Sequence, residues 1–94
     1  WAARASAAAA LRAGEAVHHR IPLRFAHLFP DLDPNRIANL FAVMETARQR
    51  SHTLITQAWE VWARALGRAP TAAEVLRQAE VIDRQFGPLM RGLP

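Results

Sequence analysis

Apolar residues recur along Pro34–Leu66 with the spacing of a single helix face. Counted in heptads from Ile37, the a and d positions are Ile37, Leu40, Met44, Ala47, Ser51, Leu54, Ala58, Val61 and Ala65. Phe41, Ile55 and Trp62 widen that stripe at e, and only Arg48 breaks it. The stretch has no internal glycine or proline. Asp33 is a suitable N-cap, Pro34 suits the first helical position, and Gly67 suits a left-handed C-cap. The pattern predicts one amphipathic helix over 34–66, about 50 Å long. A compact domain of this length is only about 30 Å across, so such a helix overhangs its own globule. Either the helix breaks near its polar waist, or the domain is an elongated hairpin, or a second chain covers the overhang; the elongated form is expected. The stripe thins at the polar waist Arg48-Gln49-Arg50-Ser51-His52-Thr53, where nothing forces a kink.

Two further helices are predicted around it. Residues 2–20 are alanine-rich, with Leu11 and Val17 as the only large apolar side chains, and Gly14 marks a bend or a close contact. In the connection Ile21–Asp33, the spacing of Phe25, Leu28 and Phe29 predicts a short helical turn plugging the end of the core. Thr71 and Glu74 spell a capping box, and Val75, Leu76, Ala79, Ile82 and Phe86 form a continuous face on a helix over 72–86, stopped by Gly87-Pro88. No stretch alternates apolar and polar residues as a half-buried strand does. The predicted fold is all-α. It is a small helical bundle in one domain, 1–94, built on the central helix 34–66, with the last two helices as an antiparallel hairpin.

Composition narrows the chemistry. Among 94 residues there is no cysteine, which excludes disulfides and thiolate sites and fits a reducing, cytoplasmic setting. All twelve basic residues are arginine against eight acids, for a net charge of +4. Heavy use of alanine and arginine points to a GC-rich bacterial genome. No apolar run is long enough to span a membrane. The chain opens on Trp1 rather than methionine, as an excised fragment or processed product would.

No motif names a reaction, so a catalytic residue or cofactor is not expected. Ser6 and Ser51 lie in no nucleophile elbow, and no glycine-rich phosphate loop occurs. Glu15 and His18 have the Glu-x-x-His spacing of carboxylate-bridged di-metal bundles, but only one copy is present, and no metal site is expected. Leu66–Val75 resembles the helix entry of bacterial sigma factors and some helix-turn-helix regulators. A reader of that class needs a recognition helix next, whereas Val75–Phe86 runs on unbroken to Gly87-Pro88.

Two functions remain. The first is a non-enzymatic helical interaction or oligomerisation module, forming a homodimer or docking on a larger protein. Ile37, Phe41, Met44, Ile55, Trp59 and Trp62 are its expected interface, since tryptophan is enriched at binding hot spots. The second is a small basic nucleic-acid-binding protein of bacterial, plasmid or phage origin using Arg48, Arg50, Arg64 and Arg68.

Overall fold

Gly14 opens the first strand of the chain, whose computed structural model describes residues 8–93. Its φ of 80° lies in the left-handed region. The turn is closed by the Glu15 amide donating to Arg12 O (3.1 Å) and the Arg12 amide donating to Glu15 Oε1 (2.6 Å). A Cβ on Gly14 would sit 2.8 Å from Thr46 Cγ2 and 3.1 Å from Met44 Cε, so steric space and backbone angle both demand glycine. Gly14→Ala will therefore cost at least ~1 kcal/mol, read as a lowered urea midpoint at unchanged m-value.

From that turn the chain extends as β1 (Glu15–His19). Beyond the connection come β2 (Leu40–Met44), α1 (Ser51–Leu66), α2 (Ala72–Phe86) and β3 (Arg91–Gly92). The sheet order is β1-β2-β3 with both pairings antiparallel; Val17 lies opposite Ala42, and Phe41 opposite Gly92. The fold is thus α+β, and the all-α bundle expected from the hydrophobic pattern is overturned. Of the first predicted helix, residues 2–7 lie outside the described residues, and 15–19 form a strand.

The predicted helix over 34–66 divides into a turn, a strand and a helix. At its start, Asp33 Oδ1 accepts from the Asn35 amide (2.9 Å) and Asp33 O from the Arg36 amide (3.1 Å), so Asp33-Pro34 makes a turn rather than a cap. A 3-10 turn, Ile37–Asn39, leads into β2. Leu40-Phe41-Ala42-Val43-Met44 is a continuous apolar run, which periodicity alone cannot tell from a buried helix segment. It is the central strand, covered on both faces, so it needs no alternation.

The polar waist proves to be the junction between sheet and helix. Thr46 Oγ1 accepts from the amides of Arg48 (3.3 Å) and Gln49 (3.0 Å), which turns the chain without glycine or proline. Glu45 then caps α1 from outside it: Oε1 accepts from the Thr53 amide (2.9 Å) and Oε2 from the Thr53 hydroxyl (2.7 Å). The resulting helix of sixteen residues is about 24 Å long. It fits within a molecule measuring 37 × 31 × 18 Å, so no overhang remains to be covered.

The two sheet faces bury separate clusters. On one, Val43 packs with Ile21 and Phe25 against Ile55 and Trp59 of α1 and Val75, Ile82 and Phe86 of α2. The connection supplies the plug expected of it: Phe25 is buried in the 3-10 turn Leu23–Leu28, and Leu28 and Phe29 pack against the same core. On the other face, Leu40, Ala42 and Leu93 gather Leu11 and Val17. Arg91 fastens that side, donating to both Glu15 carboxylate oxygens (2.6 and 3.0 Å) and to Ala10 O (3.1 Å). No helix among the described residues is long and apolar enough to cross a membrane.

A helix-pair groove and a histidine-lined cavity

The sequence of α1 carries more apolar residues than one buried face can use. Ile55 and Trp59, four apart, point into the core, where Trp59 is only 3% exposed. Leu54 and Val61 are 51% and 64% exposed. They border a groove of about 520 Å³ whose floor includes Ala58, Trp62 and Phe86, with Gln57, Gln78 and Gln85 along it. Leu54, near the start of α1, shares the groove with Phe86 at the end of α2. Trp62 meets Glu74, Arg77 and Val81 in a smaller hollow of about 170 Å³. The helices are therefore antiparallel, and the two hollows join through Trp62 and Gln78 along their outer face.

The local signals of this pair are those the sequence spells. Gly67 ends α1 in the left-handed conformation (φ 69°), its amide donating to Ala63 O. Thr71 and Glu74 form both halves of the capping box: the Glu74 amide donates to Thr71 Oγ1 (3.2 Å) and the Thr71 amide to Glu74 Oε1 (2.9 Å). Arg68 adds two bonds to the Glu74 carboxylate (2.9 and 2.8 Å), which holds its pKa at about 2.

An aromatic step links the groove to the core. The rings of Trp59 and Trp62 meet edge to face, with centroids 5.5 Å apart, and Phe25 lies 5.9 Å from Trp59 and 6.1 Å from Trp62. Trp62 is half-buried and presents its remaining surface to the groove.

A third hollow lies between the end of β1 and α1. It encloses about 300 Å³. Pro22, Leu23, Ile55 and Trp59 give it apolar walls, and His18, His19 and His52 are also among its lining residues. Arg24, Thr56 and Glu60 complete the lining, the Arg24 Cζ lying 4.7 Å from the centre of the Phe25 ring. His18 is 4% exposed, and burial pushes its pKa down to about 4, with the imidazoles of His52 and His19 adding to the effect. His18 Nε2 and Trp59 Nε1 are buried without a hydrogen-bond partner among the described residues. His19 is held differently, its Nε2 lying 2.9 Å from Asn35 Oδ1.

These placements redistribute the residues singled out in the sequence. Of the six expected at an interface, Ile55 and Trp59 are in the core, Phe41 and Met44 are half-buried on the sheet, and only Trp62 lies on the outer helix face. The side chain of Ile37 falls outside the described residues. Leu54, Val61, Gln78 and Phe86 join Trp62 there. For Leu54 and Val61 the signal was the second apolar stripe of α1, which a single long heptad seam absorbs unnoticed; Gln78 and Phe86 come from α2.

The four arginines do not form one patch. Arg48 and Arg50 sit before α1 and Arg64 and Arg68 at its far end, about 20 Å apart along the axis. Arg50 lies 3.6 Å from Glu45, Arg64 3.9 Å from Glu60, and Arg68 is held by Glu74. Glu15 and His18, which a helix would place together, lie on opposite faces of β1 because strand side chains alternate. Among the described residues, no group of three histidine, aspartate or glutamate side chains is placed to hold a metal ion. Comparison with protein-family models, with curated proteins and with solved structures returns no match.

Proposed function

We propose that this chain is a non-enzymatic interaction module that pairs with a second copy of itself through the outer face of α1 and α2. The observation that carries the reading is the groove between the helices. Its rim exposes Leu54 and Val61, and its floor offers Trp62, an aromatic surface of the kind that anchors interfaces.

The polar character of the groove favours a second copy over an unlike partner. Gln57, Gln78 and Gln85 are the polar residues along it, and an amide both donates and accepts. In a two-fold arrangement each side meets itself, so a face with a single sign of charge would repel its own copy. Uncharged amides meet without that penalty. Four helices then close around the two grooves as in a bundle. The cytoplasmic setting expected from composition goes with this proposal.

Light scattering over a hundredfold concentration range tests it. The wild-type chain is expected to shift from monomer to dimer with rising concentration. Val61→Glu and Leu54→Glu are expected to stay monomeric with unchanged circular dichroism, because each puts two like charges in the desolvated centre of the interface. A wild-type chain that is monomeric throughout, or dimers that survive both substitutions, would overturn the reading.

A further inference from the structure

We infer that the hollow between the end of β1 and α1 is a binding site for a small monocarboxylate with an apolar body. It shares no lining residue with the groove and stands on separate observations. Its volume, about 300 Å³, lies at the lower end of the range in which small-molecule pockets fall.

The lining states the chemistry of the occupant. Pro22, Leu23, Ile55 and the indole of Trp59 make an apolar wall that suits a hydrocarbon or aromatic body. Against it stand donors and cationic or protonatable groups, the Arg24 guanidinium and the His52 imidazole, with Glu60 the only acid among the described residues that line it. Glu60 is itself matched by Arg64 at 3.9 Å. The balance favours an anion.

The accessible polar groups narrow the choice. Trp59 Nε1 and His18 Nε2 have no partner among the described residues, but both atoms are fully buried and closed to a ligand in the hollow. Acceptor oxygens entering it are met by the side chains of Arg24 and His52 in the lining. A carboxylate brings two such oxygens at the cost of one charge. A phosphate dianion would have to shed far more hydration against a wall that is half apolar. The ligand is therefore placed with its carboxylate toward Arg24 and His52, and its apolar body against Leu23, Ile55 and the face of Trp59.

The test uses benzoate as the probe, followed by the indole and imidazole N–H resonances of the full chain. Benzoate is expected to move the Trp59 indole proton and the His52 ring resonances in a saturable way. Benzamide, equal in shape but uncharged, is expected to bind about tenfold more weakly, and inorganic phosphate not to compete. Arg24→Gln is expected to weaken benzoate about tenfold. Leu23→Trp, a change at an exposed rim position that leaves the core intact, is expected to abolish binding by filling the hollow. Absence of saturable shifts overturns the inference. So does equal binding of benzoate and benzamide, competition by phosphate, or benzoate affinity untouched by both substitutions.

Discussion

Acidification from pH 6.5 to pH 4 will remove roughly 3 kcal/mol of folding stability through His18 alone. The cause is burial. His18 lies under the sheet at 4% exposure, with its Nε2 unpartnered, so the folded protein holds its imidazole neutral down to about pH 4. The unfolded chain protonates the same ring near pH 6.5. Above 6.5 the ring is neutral in both states and stability does not change with pH. Between 6.5 and 4 the unfolded chain binds a proton that the folded chain refuses, so each step toward acid favours unfolding. Below 4 both states are protonated, and this contribution levels off.

Burial sets the sign, and the charged groups around His18 mostly add to it. His52 from α1, with His19 and Arg20 from its own stretch, oppose its charge, and among the described residues Asp83 from α2 favours it. Asp83 is already bound by Arg20 at 2.8 Å. The carboxylates act in a lower window. Glu15 and Glu74 are depressed from 4.5 to about 2, chiefly by hydrogen bonds from Arg91 and Arg68, so what they add is full above 4.5 and lost as pH falls toward 2. Urea unfolding at pH 7, 6, 5 and 4 separates the two. The wild-type chain is expected to lose stability steadily below 6.5, and His18→Leu to hold nearly level until the acids titrate. If the variant shows the wild-type slope, the buried histidine is not its source. Since domains of this kind have only about 5–15 kcal/mol in total, the effect is a large fraction of what holds the fold together.

What the sequence made legible follows from the range of the signals. The capping box at Thr71 and Glu74, the C-cap at Gly67 and the apolar face of α2 depend on neighbours within a turn or two, and all appear in the structure. The plug of Phe25, Leu28 and Phe29 is likewise local. The strands are not. Leu40–Met44 is a strand because β1 arrives from some twenty residues upstream and β3 from about fifty downstream, and nothing within five apolar residues records those partners. The end of the supposed long helix was hidden for a related reason. Its breakers are the Thr46 hydroxyl and the Glu45 carboxylate, ordinary residues on a helix surface until they turn back on the backbone. Gly14 was the one visible clue that residues 2–20 do not form a single helix. The cavity could not be read at all, because it joins His18 to His52 across a fold the helical pattern did not contain.

Trp59→Ala is expected to have the largest effect of any single change, about 3–5 kcal/mol. The indole is buried at the centre of the main cluster, between Phe25 and Trp62, and its removal leaves a cavity that three different elements would have to close. Ile55 one turn earlier on α1 and Val43 on the sheet cannot move in without leaving their own contacts. The variant should therefore unfold at far lower urea and lose the proposed self-association only because it loses its fold. Trp59→Phe keeps most of the ring volume while discarding the unpartnered indole nitrogen, so it should remain folded and associate as the wild type does. The comparison assigns the two tryptophans to separate tasks: Trp62→Ala, on the groove, should weaken dimerisation more than folding. Were Trp59→Phe to abolish association while leaving stability intact, the outer helix face would lose its standing as the interface, and Trp59 would take its place.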